Sequence, residues 1–334
     1  LHQESAQQKP GDLIDENRWE DVISHELFHH WFGDLVTTES WSNLTVNESF
    51  ANYSEYLWNE YKYGKDFADY TLMKAAEGYF RDPSNVTKDL VRFNYHHKED
   101  MFDAVSYNKG GSILHMLRNY LGDEAFWAGM HDYLKTNEYG TGEAHQFRLS
   151  LEKVSGKDLN WFFNQWYFNS GHPKVSYTTT FEPVKKEVKI TVSQDQLGGN
   201  FQFPLALDIY ENGKPSRKNV WVSAKDKNDF TFPVSKNPDF INLNADGVIL
   251  GEFTGDKTPE QYFAQYSNSK EFLSRYRAVE HAAENKGANP AALKILVAAL
   301  KDSNFRIRMK ALSGLDLSKP DQAKSALAIV EKMA

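Results

Sequence analysis

The sequence predicts a multidomain protein: a mainly α-helical lobe over 1–172, a small all-β sandwich over 173–255, and an α-helical C-terminal region over 256–334. Three observations lead there. A chain of 334 residues exceeds what one hydrophobic core usually serves. The apolar spacing changes from a three-four pattern to alternation at "HPKVSYTTTFEPVKKEVKITVSQ". It returns to the helical pattern from Thr258 onward.

Within the first region, 15–32 reads as a helix, with Asp15 as N-cap and Gly33 as the stop just past its end. Further helices are expected from about Thr45 to Lys62 and from about Asp66 to Phe80. After the loop "RDPSNVTKD", the run "YNKGGSILHMLRNYLG" carries helical periodicity to Gly122, and two or three more helices follow through "LNWFFNQWYFNSG". The alternating region holds six or seven short strands, with Asn212-Gly213 marking a hairpin between two of them. In the last region "RYRAVEHA" (Arg275 to Ala282) is echoed 33 positions later by "RMKALSGL" (Arg308 to Leu315). That period suits paired-helix solenoid repeats, and equally two unrelated amphipathic helices. The opening "LHQESAQQ" reads as the tail of a strand and the closing "DQAKSALAIVEKMA" as a helix without a C-terminal cap, so the sequence reads as part of a longer protein.

Composition narrows the functions. The chain is 40% hydrophobic and 25% charged, which is globular rather than disordered. Its net charge of −8 offers no broad basic face for a nucleic acid. No apolar run is long enough to span a bilayer. Without cysteine, any metal must be held by His, Asp or Glu.

The stretch that can hold one is "HELFHHWFGD". His25 and His29 lie four apart, which on a helix means about 40° of rotation and about 6 Å of rise, so both imidazoles can reach one ion. Glu26 flanks that face, placed to take a proton from an activated water. His30 turns away by about 100° and reads as a surface or packing residue. Catalytic zinc usually takes three protein ligands. The position of a third His in the extended metzincin pattern is Leu35, which leaves Glu48, eighteen residues beyond His29, as the candidate. Glu48 also fits a capping box with Thr45, in which it would only secure its own helix start. His96, His97, His115, His131, His145, His172 and His281 have no ligand spacing. The N-x-S/T triplets at Asn43, Asn47, Asn52 and Asn85 read as chance, because a sugar on the Glu48 helix would obstruct the metal.

"HELFHHWFGDLVT", "NESFANYSEY" and "VSYNKGG" together resemble the M1 family of zinc aminopeptidases, gluzincins that include aminopeptidase N and leukotriene A4 hydrolase. The resemblance implies a thermolysin-like catalytic lobe, a β-sandwich and the start of a HEAT/armadillo-like helical solenoid, in that order. It implies one Zn2+ per chain on His25, His29 and Glu48, with Glu26 as general base. Tyr107 would be the tyrosine that donates to the oxyanion of the tetrahedral intermediate. The implied activity is removal of N-terminal residues from peptides, and the implied partners are peptide substrates. An epoxide hydrolase activity on the same zinc site and a non-catalytic binding scaffold are the alternatives. Asp34 stands where the family usually has Asn, and Ser49 where it usually has Gly; neither is expected to touch a ligand. The family's Gly-x-Met-Glu-Asn loop, which grips the substrate's amino group, is absent from these residues and would lie before residue 1. These residues alone are therefore expected to make a poor exopeptidase.

Overall fold

The computed structural model describes residues 19–196, 198–285 and 290–331. Asp15 and the expected first turns of its helix lie outside the described residues. The chain divides into two compact units: Leu1–Pro173 with Gln196–Phe201 and Val248–Gly251, and Lys174–Asp195 with Gln202–Gly247 and Glu252–Ala334.

The first unit is mainly helical. Helix α1 (Glu20–Phe28) ends earlier than its apolar pattern suggests. The N–H groups of Asp34, Leu35 and Val36 reach five residues back, to His29, His30 and Trp31, in a wide turn around Gly33. Gly33 has φ +154°, and a Cβ there would stand 2.8 Å from the His29 carbonyl oxygen. Strand β1 (Val36–Thr38) follows, then α2 (Thr45–Tyr63), which stops at Gly64 with φ +86°. Helix α3 (Lys65–Arg81) leads through short 3-10 turns to a five-residue π-helix, Val105–Lys109, which runs into α4 (Gly110–Leu121). Next come α5 (Asp123–Asn137), β2 (Gly140–Gly142), α6 (Ala144–Ser155) and α7 (Asn160–Trp166). Strand β2 pairs in parallel with β1. Beneath α1 and α2 lies a stack of buried rings: Phe32 sits 4.2 Å from Phe50, which meets Phe147 edge-on at 4.8 Å. Each such side chain contributes about 1.5–3 kcal/mol when fully buried. The stack therefore locks the chain just past α1 against α2.

Among its described residues the second unit opens with seven strands in two sheets. One has the order β7 (Lys227–Pro233), β4 (Glu187–Gln194), β3 (Lys174–Glu182), β9 (Glu252–Gly255). The other has β6 (Lys214–Val222), β5 (Phe203–Glu211), β8 (Phe240–Leu243). The alternation is plain in β4, where Val188, Ile190 and Val192 are buried between exposed or half-buried neighbours. Asn212 (φ 52°) and Gly213 (φ 71°) turn the β5–β6 hairpin, the two left-handed positions a type I′ turn requires. β9 pairs with β3 in parallel. Among the described residues five helices follow: α8 (Pro259–Asn268), α9 (Phe272–Glu284), α10 (Pro290–Ala299), α11 (Phe305–Gly314) and α12 (Pro320–Val330). Among the described residues no helix is long and apolar enough to cross a membrane.

Candidate metal centre

Two antiparallel helices build the site. α1 carries His25 in its last turn, with His29 as its C-cap. α2 carries Glu48 in its first turn. The far end of the pair is fastened by Glu20, whose carboxylate accepts from Trp58 Nε1 (2.9 Å), the Tyr63 hydroxyl (2.7 Å) and the Lys62 ammonium. At the near end both imidazoles turn their Nε2 atoms to one oxygen. His25 Nε2 lies 3.3 Å and His29 Nε2 3.4 Å from Glu48 Oε2. One ligand atom from each of the three falls within 4.8 Å of the others.

The other ring nitrogens are also committed. His25 Nδ1–H donates to Glu55 Oε1 at 2.9 Å, and His29 Nδ1–H donates to the Phe32 carbonyl at 3.0 Å. This fixes the tautomer of each ring and leaves both Nε2 lone pairs for a cation. The donor set suits zinc: two imidazoles and one carboxylate.

A proton competes with a cation for those same nitrogens. Burial would push His25 down, but hydrogen bonds to Glu48 and Glu55 carry it up to about 9. Burial likewise opposes protonation of His29, and Glu48 and the Phe32 carbonyl outweigh it. Burial would raise Glu48, yet the two imidazoles hold it down at about 2. The cluster keeps Glu48 ionised, and a cation must displace the proton that Glu48 and Glu55 favour on His25.

Tyr107 completes the wall. Its ring stacks on His25 at 5.8 Å and 9° between planes. Its hydroxyl interacts electrostatically with the Glu48 carboxylate, holding Glu48 down and raising the phenol. Burial raises its pKa well above the usual phenol value, and the charges of Glu48, Glu26 and Glu55 raise it further. Glu26 is half-buried on α1, beside His25.

All five residues singled out in the sequence thus belong to one neighbourhood. Glu48 is not in a capping box: Leu44 is the N-cap of α2, and Thr45 Oγ1 bonds Ser49 Oγ at 2.6 Å. His30 is exposed and pairs loosely with Asp34 at 3.7 Å. Sequence reasoning missed Glu55. Its signal was available, since seven residues beyond Glu48 is two helical turns, hence the same face. It also missed the role of Ser49, which touches no ligand but donates from its hydroxyl to the Ser106 carbonyl at 2.6 Å.

The helix pair brings together three donors that could hold a metal ion, in the H-E-x-x-H spacing. A Peptidase family M1 domain matches residues 8–166. These residues carry the family's domain. It is 33% identical over 239 residues to probable aminopeptidase 2 of Sulfurisphaera tokodaii, a match covering 67% of this chain and 29% of that protein. It is 31% identical over 305 residues to the leucyl aminopeptidase of Saccharolobus solfataricus, covering 76% and 36%. Among solved structures, Legionella pneumophila aminopeptidase A in complex with aspartic acid superposes with a TM-score of 0.73 at 20% identity, covering 85% of this chain and 33% of that one. That likeness concerns the fold. The chain spans 27–31% of the length of the first three relatives it matches.

Proposed function

We propose that these residues form the catalytic centre of a zinc aminopeptidase that removes N-terminal residues from peptides. The observation that carries the reading is the convergence of His25 Nε2 and His29 Nε2 on one Glu48 oxygen, with both Nδ1 atoms already tied down. His25, His29 and Glu48 would hold one Zn2+ per chain. When bound, zinc supplies Lewis acidity, polarising the scissile carbonyl and easing deprotonation of water.

The rest falls to the protein. Glu26 takes a proton as water oxygen bonds to the carbonyl carbon. Tyr107, kept protonated by its surroundings, donates to the oxygen on which negative charge develops. Glu26 then returns the proton to the leaving amine as the C–N bond breaks. Peptides are the expected partners, and the net charge of −8 speaks against nucleic acid. The names of the relatives, aminopeptidases in both cases, support the reaction class.

We also read 173–255 as a separate sandwich domain and 256–334 as the start of a HEAT/armadillo-like solenoid. The support is the paired use of Arg275 and Arg308, 33 positions apart, on one connecting segment. Arg275 Nε donates to Asp302 Oδ2 at 3.0 Å, and Arg308 Nη1 donates to the Asp302 and Ser303 carbonyls at 2.9 Å each.

Glu26→Gln tests the mechanism. Hydrolysis of a leucyl anilide should vanish while zinc content is unchanged; normal hydrolysis by the variant would refute the role of Glu26.

A further inference from the structure

Tyr107 sits in the middle of a π-helix, a rare geometry that tends to occur where function needs it. In an uninterrupted α-helix the Gly110 N–H would bond the Ser106 carbonyl. Here it goes to Val105 O and Tyr107 O, and the Lys109 N–H goes to Ala104 O at 3.0 Å. One residue added to a turn rotates everything before it by about 100° relative to the helix that follows. The direction of Tyr107 relative to α4 is therefore set by whether this turn keeps its π register.

Two contacts secure that register from outside the turn, one half-buried and one buried. Asp103 Oδ1 accepts from the N–H groups of Val105 (3.0 Å) and Ser106 (3.1 Å), capping the first residues of the π-helix. Its Oδ2 is held by Lys88 Nζ and Arg92 Nη2, both at 2.9 Å. Ser49, wholly buried and next to Glu48 on α2, donates to the Ser106 carbonyl, the acceptor that Gly110 has left. Ser49 thus links the helix that carries Glu48 to the turn that carries Tyr107. Gly110 makes the approach possible, since a Cβ there would lie 1.9 Å from Ser49 Oγ.

We propose that Ser49 and Asp103 are positioning residues for Tyr107, holding the π-turn that aims its phenol at Glu48 and His25. Ser49 stands where the family pattern usually has glycine, so this chain supplies the contact with a side chain of its own. The catalytic consequence rests on the proposed role of Tyr107 as oxyanion donor; the structural one does not.

The experiment joins a structural and a kinetic readout on the zinc-loaded protein. 3-Fluorotyrosine placed at position 107 gives one 19F resonance that reports the ring's position over His25. Ser49→Ala and Asp103→Asn should shift or split that line while zinc content stays at the unaltered level. Ser49→Ala should lower kcat about three- to tenfold and Asp103→Asn about ten- to a hundredfold, from the usual worth of neutral and charged hydrogen bonds. KM should move less than about twofold, because the loss falls on the transition state. In the Tyr107→Phe background neither substitution should lower kcat further. An unmoved 19F line together with unchanged kcat would overturn the proposal, as would equal losses with and without the Tyr107 hydroxyl. Should Tyr107→Phe itself leave turnover intact, the oxyanion role fails instead. The 19F line then decides alone: movement supports the positioning role and constancy overturns it.

Discussion

Replacing Gly110 with alanine should weaken this protein, although the same exchange inside an ordinary helix strengthens one by about 0.5–1 kcal/mol. The reason is distance. A Cβ at Gly110 would stand 1.9 Å from Ser49 Oγ and 2.5 Å from Ser49 Cβ, against a comfortable carbon–carbon separation of about 3.5–4.0 Å. Rotating the Ser49 hydroxyl away cannot relieve the contact with Ser49 Cβ. Either α2 and α4 move apart by about 1 Å or more, or the α2 backbone bends. Overpacking of this kind costs about 1–3 kcal/mol, so the net loss after the gain in helix propensity reaches about 2.5 kcal/mol. The urea midpoint, followed by fluorescence of the 8 tryptophans, measures it. In the Ser49→Gly background both clashing atoms are gone, and the nearest remaining one is Leu90 Cδ1 at 3.5 Å, an ordinary contact. There the same Gly110→Ala exchange should be neutral or stabilising. A midpoint that does not fall in the first background, or falls equally in both, would refute the packing argument.

Two further outcomes are expected. Glu55→Gln should weaken zinc binding about 10- to 100-fold in competition with a chelator, because Glu55 orients and polarises the His25 ring. Unchanged affinity would remove Glu55 from the site. His115 tests the buried interior: burial, with smaller effects from Lys65 and Arg118, pulls its pKa down to about 3, and its ring bonds the Tyr53 hydroxyl at 3.1 Å. A depressed histidine pKa means that the unfolded chain binds the proton first. The stability this neutral ring contributes is therefore intact above about pH 6.5 and is lost as pH falls toward 3, by about 1.4 kcal/mol per pH unit. At pH 5 that is about 2 kcal/mol. His115→Gln should remove this part of the acid sensitivity, and parallel pH–stability curves for the two proteins would contradict the assignment.

The site was legible in the sequence to the extent that it depends on local helix geometry. His25 and His29 share a face because they are four apart, and that holds whatever α1 packs against. Glu48 was readable as either ligand or cap. Only the packing of α2 onto α1 turns its carboxylate to both imidazoles, with Leu44 rather than Thr45 at the helix start. Glu55 was readable as sharing a helix face with Glu48, but nothing local joined it to His25, 30 positions away on another helix. The π-turn was invisible for a different reason. The apolar spacing of 107–122 reads as one continuous helix, and the inserted residue is held by Ser49 and Asp103, contacts no periodicity encodes. In the sandwich the Asn212-Gly213 hairpin followed from local backbone chemistry. The parallel pairing of β9 with β3 joins strands about 75 residues apart and left no local mark.

The central claim is that His25, His29 and Glu48 form one zinc site, and elemental mass spectrometry tests it most directly. The chain and its Glu48→Ala variant would be dialysed side by side against the same buffer and their zinc counted. The account predicts about one zinc per chain in the unaltered protein and a clear loss in the variant. Equal zinc in both, or none in either, would contradict it.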